Sequence, residues 1–395
     1  MRFFPFHFRR LLFKVAAIAL LGIGVIIAAT AALTWWECRL PRTLPQPSGH
    51  YEVGRRFFAF RDIGRNDPLS PVPDAKRELL VCIWYPASTN GNEARAEYAP
   101  DRGRSARDWT EQRLDQVHAH AYESAAFSNF QPQFPVLLFS PGSGQLPTAY
   151  TALAEDLASH GYVVVALAHT FSTPNVRFPD GHVARVAESR FHGGFGDFLV
   201  SVWAADIVST LDFLQQKQQA GDSFFGHLAL QQAGVLGHSF GGAAAACLID
   251  QRFRACIDLD GTVYGPVVSS GLKQPLLLFV QKLRPLPKLL RARRENFDKN
   301  QAREDSLFEH SCSAVRLTVP KLIHMNISDQ AFFFEAEDRF AELIGTRMDG
   351  PETLTLTSST IRAFFSQHLL QLNSPGDEFD GINLRGSRLE VHKRC

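Results

Sequence analysis

Cysteine is scarce in this chain of 395 residues. Six are present, Cys38, Cys82, Cys247, Cys256, Cys312 and Cys395, and none forms a Cys-x-x-Cys or a zinc-type spacing. A disulfide-built scaffold is therefore excluded, although one or two disulfides of unreadable pairing remain open. A charge imbalance is missing too: 41 Lys and Arg against 40 Asp and Glu leave a formal net charge of +1. That balance makes no case for a nucleic-acid partner or a strongly acidic one. No internal repeat is present. His118-Ala-His120 has no carboxylate or cysteine at ligand spacing, so a solvated loop is expected there and no metal. What remains is an ordinary globular balance, 45 % hydrophobic and 21 % charged, in a chain long enough for a large core.

The most informative stretch is Ala233-Gly-Val-Leu-Gly-His-Ser-Phe-Gly-Gly242, an apolar run ending in Gly-x-Ser-x-Gly and feeding the alanine-rich segment Ala243 to Cys247. It reads as strand, sharp turn and helix. At such a nucleophile elbow the serine takes a strained backbone conformation, and the small neighbours Gly237, Gly241 and Gly242 let strand and helix pack closely. Ser239 is then presented above the sheet edge. The Phe240 amide, at the start of the helix, faces any negative charge that forms beside it.

Around the elbow lie apolar strands separated by helical segments. Strands are expected at Leu79 to Pro86, Pro135 to Ser140, Tyr162 to Ala168, Ala255 to Asp260, Pro275 to Val280 and Val315 to Ile323. Helices are expected at Tyr150 to Ser159, Phe198 to Gln215 and, closing the domain, Thr357 to Leu372. Strands apolar throughout indicate a mostly parallel sheet covered on both faces, an α/β domain over 51–373. Two insertions interrupt it. The first, about 90–134, is polar and irregular, with a helix expected around Ala106 to Val117. The second, about 283–313, is basic and leucine-bearing, with Arg284, Lys288, Arg291, Arg293 and Arg294 among Leu286, Leu289 and Leu290; it suits either a lid leaning on lipid head groups or a solvated surface helix. A polar tail, 374–395, is expected to be poorly ordered from Arg385 on.

Arg2, Arg9, Arg10 and Lys14 precede an uncharged run from Val15 to Trp36 within the first segment, 1–37. As a helix that run reaches about 33 Å, enough for a hydrocarbon core of about 30 Å. The basic flank implies a cytoplasmic N-terminus, with Trp35 and Trp36 at the far interface. A cleaved signal is the competing reading, since Ala29-Thr-Ala31 has a peptidase-compatible form. Either way the rest of the chain is exported, as a membrane-anchored extracytoplasmic domain or a secreted or periplasmic one. A stiff linker, 38–50, carries Pro41, Pro45 and Pro47.

A serine nucleophile needs a base, and the base a carboxylate, in the chain order serine, acid, histidine at strand ends. That order excludes His118, His120 and His169. His238 is locked into the elbow, His310 falls in the second insertion and His368 in the closing helix, whereas His324 follows a strand and opens a loop and is the choice. For the acid, the strand after the elbow helix ends in Asp260-Gly261, whereas the next strand ends in Gln281-Lys-Leu-Arg284 without a carboxylate. Asp260 is the choice and Asp258, two residues earlier on the same strand face, its rival. A second oxyanion amide is expected from Pro141-Gly-Ser-Gly144, at Ser143.

Four features together resemble the plasma-type platelet-activating-factor acetylhydrolase family and its bacterial relatives, which are serine esterases of the α/β-hydrolase fold. They are Gly237-His-Ser-Phe-Gly-Gly242; an aspartate about twenty residues later, after an Ile-x-Leu run; His324-Met-Asn-Ile-Ser-Asp329; and the Phe139-Ser-Pro-Gly-Ser-Gly144 loop. The similarity spans roughly Val81 to Leu372. It implies that Ser239, Asp260 and His324 form the triad, with Phe240 and Ser143 as oxyanion donors. It also implies short or oxidised acyl esters of phospholipids as substrates. No metal or organic cofactor is called for. The chain departs from the family at Pro141-Gly142, where His-Gly is common. The same machinery could serve a polyester, cutinase-like or thioester hydrolase, and a non-catalytic receptor could retain the fold.

Overall fold

Val163–Ala168 is buried at every position, and so is Phe134–Ser140. Strands with no solvent-facing side need cover on both faces, which fixes the architecture. The computed structural model describes residues 6–37, 40–102, 114–173, 175–186, 196–248, 250–282, 291–333, 347–371, 379, 382, 384 and 386–394.

Ten principal strands build one sheet: β1 (Glu52–Asn66), β2 (Lys76–Ser88), β3 (Val117–Glu123), β4 (Phe134–Ser140), β5 (Val163–Ala168), β6 (Leu228–His238), β7 (Phe253–Leu259), β8 (Leu276–Gln281), β9 (Ser313–Val319) and β10 (Arg388–Lys393). Their spatial order is β3-β1-β2-β5-β4-β6-β7-β8-β9-β10, with Arg42–Thr43 beyond β3 and two short pieces, Arg95–Glu97 and Ala126–Phe127, paired at the sides. From β5 to β9 every neighbouring pair is parallel. The β1–β2 hairpin and β10 add antiparallel edges.

Two hydrophobic layers sandwich the sheet. On one face Trp203, Ile207 and Leu211 of α3 (Gly196–Gln219) pack with Ala243 to Ala246 of α4 (Phe240–Ala246) and Leu307 of α5 (Arg291–His310). On the other, Leu153 and Leu157 of α2 (Thr151–Ser159) pack with Leu356, Ile361 and Phe365 of α6 (Gly350–Phe365). This is the mostly parallel α/β arrangement expected, with helices on both faces.

Several expectations need correction. The first insertion is not irregular throughout, because β3 pairs with β1 and with Arg95–Glu97 and so extends the sheet. His118 and His120 therefore stand on a strand, where His120 Nε2 lies 2.8 Å from the Leu44 carbonyl. The helix expected over Ala106 to Val117 falls mostly outside the described residues, and Val117 opens β3. β2 does not stop at Pro86. Beyond Trp84 it has left β5, so a residue without an N–H is tolerated where Pro86 faces Val53. The polar tail is ordered at β10, whose six residues pair with β9. The second insertion contains α5, and its C-terminal half belongs to the core: Leu307 is buried and Arg316 holds both Glu304 and Asp305. Arg284, Lys288, Leu286, Leu289 and Leu290 lie outside the described residues.

The N-terminal helix α1 (Phe6–Glu37) contains one segment, Lys14–Leu33, long and apolar enough to cross a membrane, and none of that segment is buried in the protein. Cys82, Cys247 and Cys256 are free thiols, whereas Cys312 is disulfide-bonded.

Candidate active site

β6 ends in His238, and the chain turns at once into α4. Ser239, between them, has φ 57° and ψ −123°, a left-handed backbone that a non-glycine residue adopts only under constraint. The constraint is visible in the glycines. A Cβ at Gly237 would run into the Gly241 carbonyl, and one at Gly241 into the Ser140 carbonyl of β4. The Ser239 amide donates to the Leu259 carbonyl at 2.9 Å, pinning the elbow to β7.

β7 delivers Asp260 at its end, also left-handed at φ 56°. Its amide donates to Phe279 O, and its Oδ1 accepts from the Gln281 amide at 2.9 Å, so β8 holds both backbone and side chain. The strand end without a carboxylate thus contributes an amide donor. Asp260 Oδ2 lies 2.6 Å from His324 Nδ1, and His324 Nε2 lies 2.9 Å from Ser239 Oγ. His324 opens a 3₁₀ turn, His324–Ile327, that follows β9. The three expected residues are therefore brought together, with His324 partly open and Asp260 nearly closed off.

Two other carboxylates of this region, Asp258 and Asp329, are engaged elsewhere. Asp258 is buried, and its Oδ1 accepts from the Gly261 amide at 2.9 Å. Burial pushes its carboxyl well above the usual range, with Glu304 and Asp260 adding to the effect. It holds the turn that presents Asp260. Asp329 is turned toward the start of α2, where it accepts from the Thr151 and Ala152 amides and from Tyr98 Oη. Burial raises it to about 7. The spacing His-x-Asn-x-x-Asp thus has a mechanical meaning. Asn326 donates to Met348 O, Asp329 clamps α2, and the histidine loop is held at both ends.

On the donor side, the Phe240 amide belongs to the first turn of α4, where no helical carbonyl can reach it. Ser143 is exposed in the loop that leaves β4. The neighbouring Gly142 amide is already engaged by Tyr150 Oη at 3.0 Å.

Sequence reasoning missed a second Ser–His–Asp array. Ser140 Oγ lies 2.9 Å from His169 Nε2, and His169 Nδ1 lies 3.0 Å from Asp206 Oδ2. All three side chains are wholly buried, and Arg77 grips Asp206 with two nitrogens. Burial alone would raise Asp206, yet Arg77 and His169 hold it well below the usual carboxylate range. With no solvent access this array is structural. Ser140 lies on the approach to the Pro141–Gly144 loop, and the His169 ring stacks on Trp203, which meets Phe240 edge-on. The signal in the sequence was a histidine at the end of an apolar strand.

The family model described as platelet-activating factor acetylhydrolase, isoform II, matches residues 42–174 and 209–383. The chain belongs to that family. Curated relatives include a probable 1-alkyl-2-acetylglycerophosphocholine esterase from Arthroderma benhamiae, 27 % identical over 255 residues, covering 58 % of this chain and 61 % of that one. A platelet-activating factor acetylhydrolase from Bos taurus is 24 % identical over 283 residues, covering 63 % and 60 %. The chain thus spans about three fifths of the length of these family relatives. Among solved structures, a ferulic acid esterase from Streptomyces cinnamoneus superposes with a TM-score of 0.68 at 27 % identity, over 85 % of this chain and 95 % of that one. The family segments cover part of the linker, the α/β domain and the first residues of the tail, and α1 is outside them.

Proposed function

We propose that the chain is a serine carboxylic-ester hydrolase acting on short or oxidised acyl esters of phospholipids. The observation that carries this reading is the continuous hydrogen-bonded path from Asp260 through His324 to Ser239 Oγ, at the carboxyl ends of β7, β9 and β6 of the one sheet. In this mechanism Ser239 Oγ attacks the ester carbonyl as His324 Nε2 takes its proton. Asp260 fixes the ring with Nδ1 protonated and offsets the charge of the imidazolium. The carbonyl oxygen becomes an oxyanion held by the Phe240 and Ser143 amides. As the tetrahedral centre collapses, the bond to the leaving alkoxide breaks and His324 returns the proton to it. Water then enters by the same route in reverse and releases the acid. No metal or organic cofactor has a step in this sequence.

The names of the relatives support lipid esters, and the ferulic acid esterase likeness supports esters of ferulic acid as a second substrate class. Rates on an acetyl phospholipid, an aryl ester and an acyl thioester, each with wild type and Ser239→Ala, test the reading. Preference for the acetyl phospholipid, abolished in Ser239→Ala, is expected. Dominant aryl-ester or thioester turnover would replace the substrate class.

The domain works outside the cytoplasm. α1 supplies a membrane tether, with Lys14 at the near end of its apolar segment and Trp35 and Trp36 just past the far end, and cleavage after Ala31 is the alternative route to release. The disulfide at Cys312 supports the same side of the membrane, because such bonds persist in oxidising compartments.

A further inference from the structure

His238 and Tyr150 stand 88 positions apart and are both buried, yet they meet directly behind the catalytic centre. The Gly142 amide donates to Tyr150 Oη at 3.0 Å, and Tyr150 Oη lies 2.7 Å from His238 Nδ1. The hydroxyl has one proton and, among the described residues, no other acceptor. It accepts from Gly142 and donates to Nδ1, which leaves the His238 proton on Nε2. Among the described residues that nitrogen has no side-chain partner, and the His324 backbone is the group that favours its proton. The His238 ring also lies against the His324 ring, with centroids 4.5 Å apart and planes tilted by 40°.

We propose that Tyr150 and His238 form a positioning pair that sets the Ser143 amide and the His324 ring for the ester hydrolysis assigned above. This inference rests on that reading of the site. The pair acts on both sides of the reacting carbon. By taking the Gly142 N–H, Tyr150 removes that amide from the oxyanion site and fixes the loop one residue before Ser143. By filling the space behind His324 with an uncharged ring, His238 backs the base without competing for the proton that His324 must hold. Burial and the nearby His324 keep His238 neutral, pushing it down to about 3. Burial likewise keeps the Tyr150 hydroxyl protonated. Asp329 closes the assembly from the other side, since it belongs to the histidine loop and holds the amides of Thr151 and Ala152, the residues that follow Tyr150. Neither residue touches the reacting atoms.

The test uses Tyr150→Phe, His238→Asn and His238→Leu in the full chain, with nitrogen-edited NMR of the histidine rings and steady-state kinetics on a short-chain ester. In wild type the His238 ring should be the Nε2–H tautomer, and Tyr150→Phe should lose that single tautomer. Turnover in Tyr150→Phe should fall by about 10- to 100-fold, the scale of a misplaced oxyanion donor, with KM changed less than about 3-fold. His238→Asn, which keeps an acceptor for the hydroxyl, should retain more turnover than His238→Leu. Wild-type kcat in folded Tyr150→Phe would overturn the proposal, as would equal turnover in the two His238 variants. If Tyr150→Phe fails to fold, the His238 pair decides. If wild type hydrolyses no ester, the esterase reading falls, and the tautomer still decides the geometry: an Nδ1–H ring in wild type would overturn the pair.

Discussion

His324 Nδ1 and Asp260 Oδ2 lie 2.6 Å apart, while the other oxygen of Asp260 is taken by the Gln281 amide of β8. The carboxylate is thereby aimed by a strand that has no acid of its own. Its rival two residues earlier faces Gly261 and never reaches the histidine.

Asp260→Asn should lower turnover toward the roughly 10⁴-fold loss of the serine-protease template, with the domain still folded. Asp258→Asn should keep turnover near wild type. Asp258 is biased to its neutral form by burial, and an amide is the closest match to a neutral carboxyl that still accepts from Gly261. Turnover and thermal melting of both variants check this. A folded Asp260→Asn enzyme with wild-type turnover would contradict it.

Glu304 of α5 gives a pH dependence of stability. Burial raises its carboxyl to about 7, and Asp305, Asp260 and Glu390 push the same way against Arg316. A folded value above the unfolded one means that the stabilisation is complete below the unfolded value of about 4.5 and is lost as pH rises through about 7. Between those values the unfolded chain releases the proton first. Melting temperature should therefore fall across this window in wild type and fall less in Glu304→Gln. An unchanged slope in the variant would remove Glu304 as a cause.

Cys312 should be linked to Cys395. Among the described residues Cys82, Cys247 and Cys256 are free, and Arg394, the neighbour of Cys395, donates its amide to the Cys312 carbonyl at 2.8 Å. The bond would staple β10 to β9. Non-reducing peptide mapping should return the 312–395 pair, and a pair between Cys312 and Cys38 would refute the assignment.

These cases also mark what could be read in advance. The elbow, the parallel strands, His324 and Asp260 were legible because each is local: a glycine spacing, an apolar run, a polar residue at a strand end. β1 was not, because its pattern includes Arg55, which is fully buried and whose terminal nitrogens donate to Glu123 and the Tyr98 carbonyl, both distant in sequence. β10 alternates Leu389 and Val391 with charge and leaves both exposed, so it reads as surface until its pairing with β9 is known. The Tyr150–His238 contact lies in the same class. A histidine beside the nucleophile is visible in the sequence, but its partner is chosen by the packing of α2 against the sheet.

The N-terminus of the mature protein should begin ahead of Val15, with α1 retained and the protein recovered with the membrane fraction. Extraction should need detergent, since about 30 Å of apolar helix is enough to span. N-terminal sequencing checks this, and a start near Leu33 would mean a cleaved signal and a released enzyme.

The central claim is that Ser239 is the nucleophile, and adduct mapping after treatment with a fluorophosphonate tests it most directly. The account predicts one phosphonyl group, on the peptide that contains Ser239, formed in step with loss of ester hydrolysis and absent from Ser239→Ala. An adduct on another residue, or hydrolysis persisting in Ser239→Ala, would contradict it.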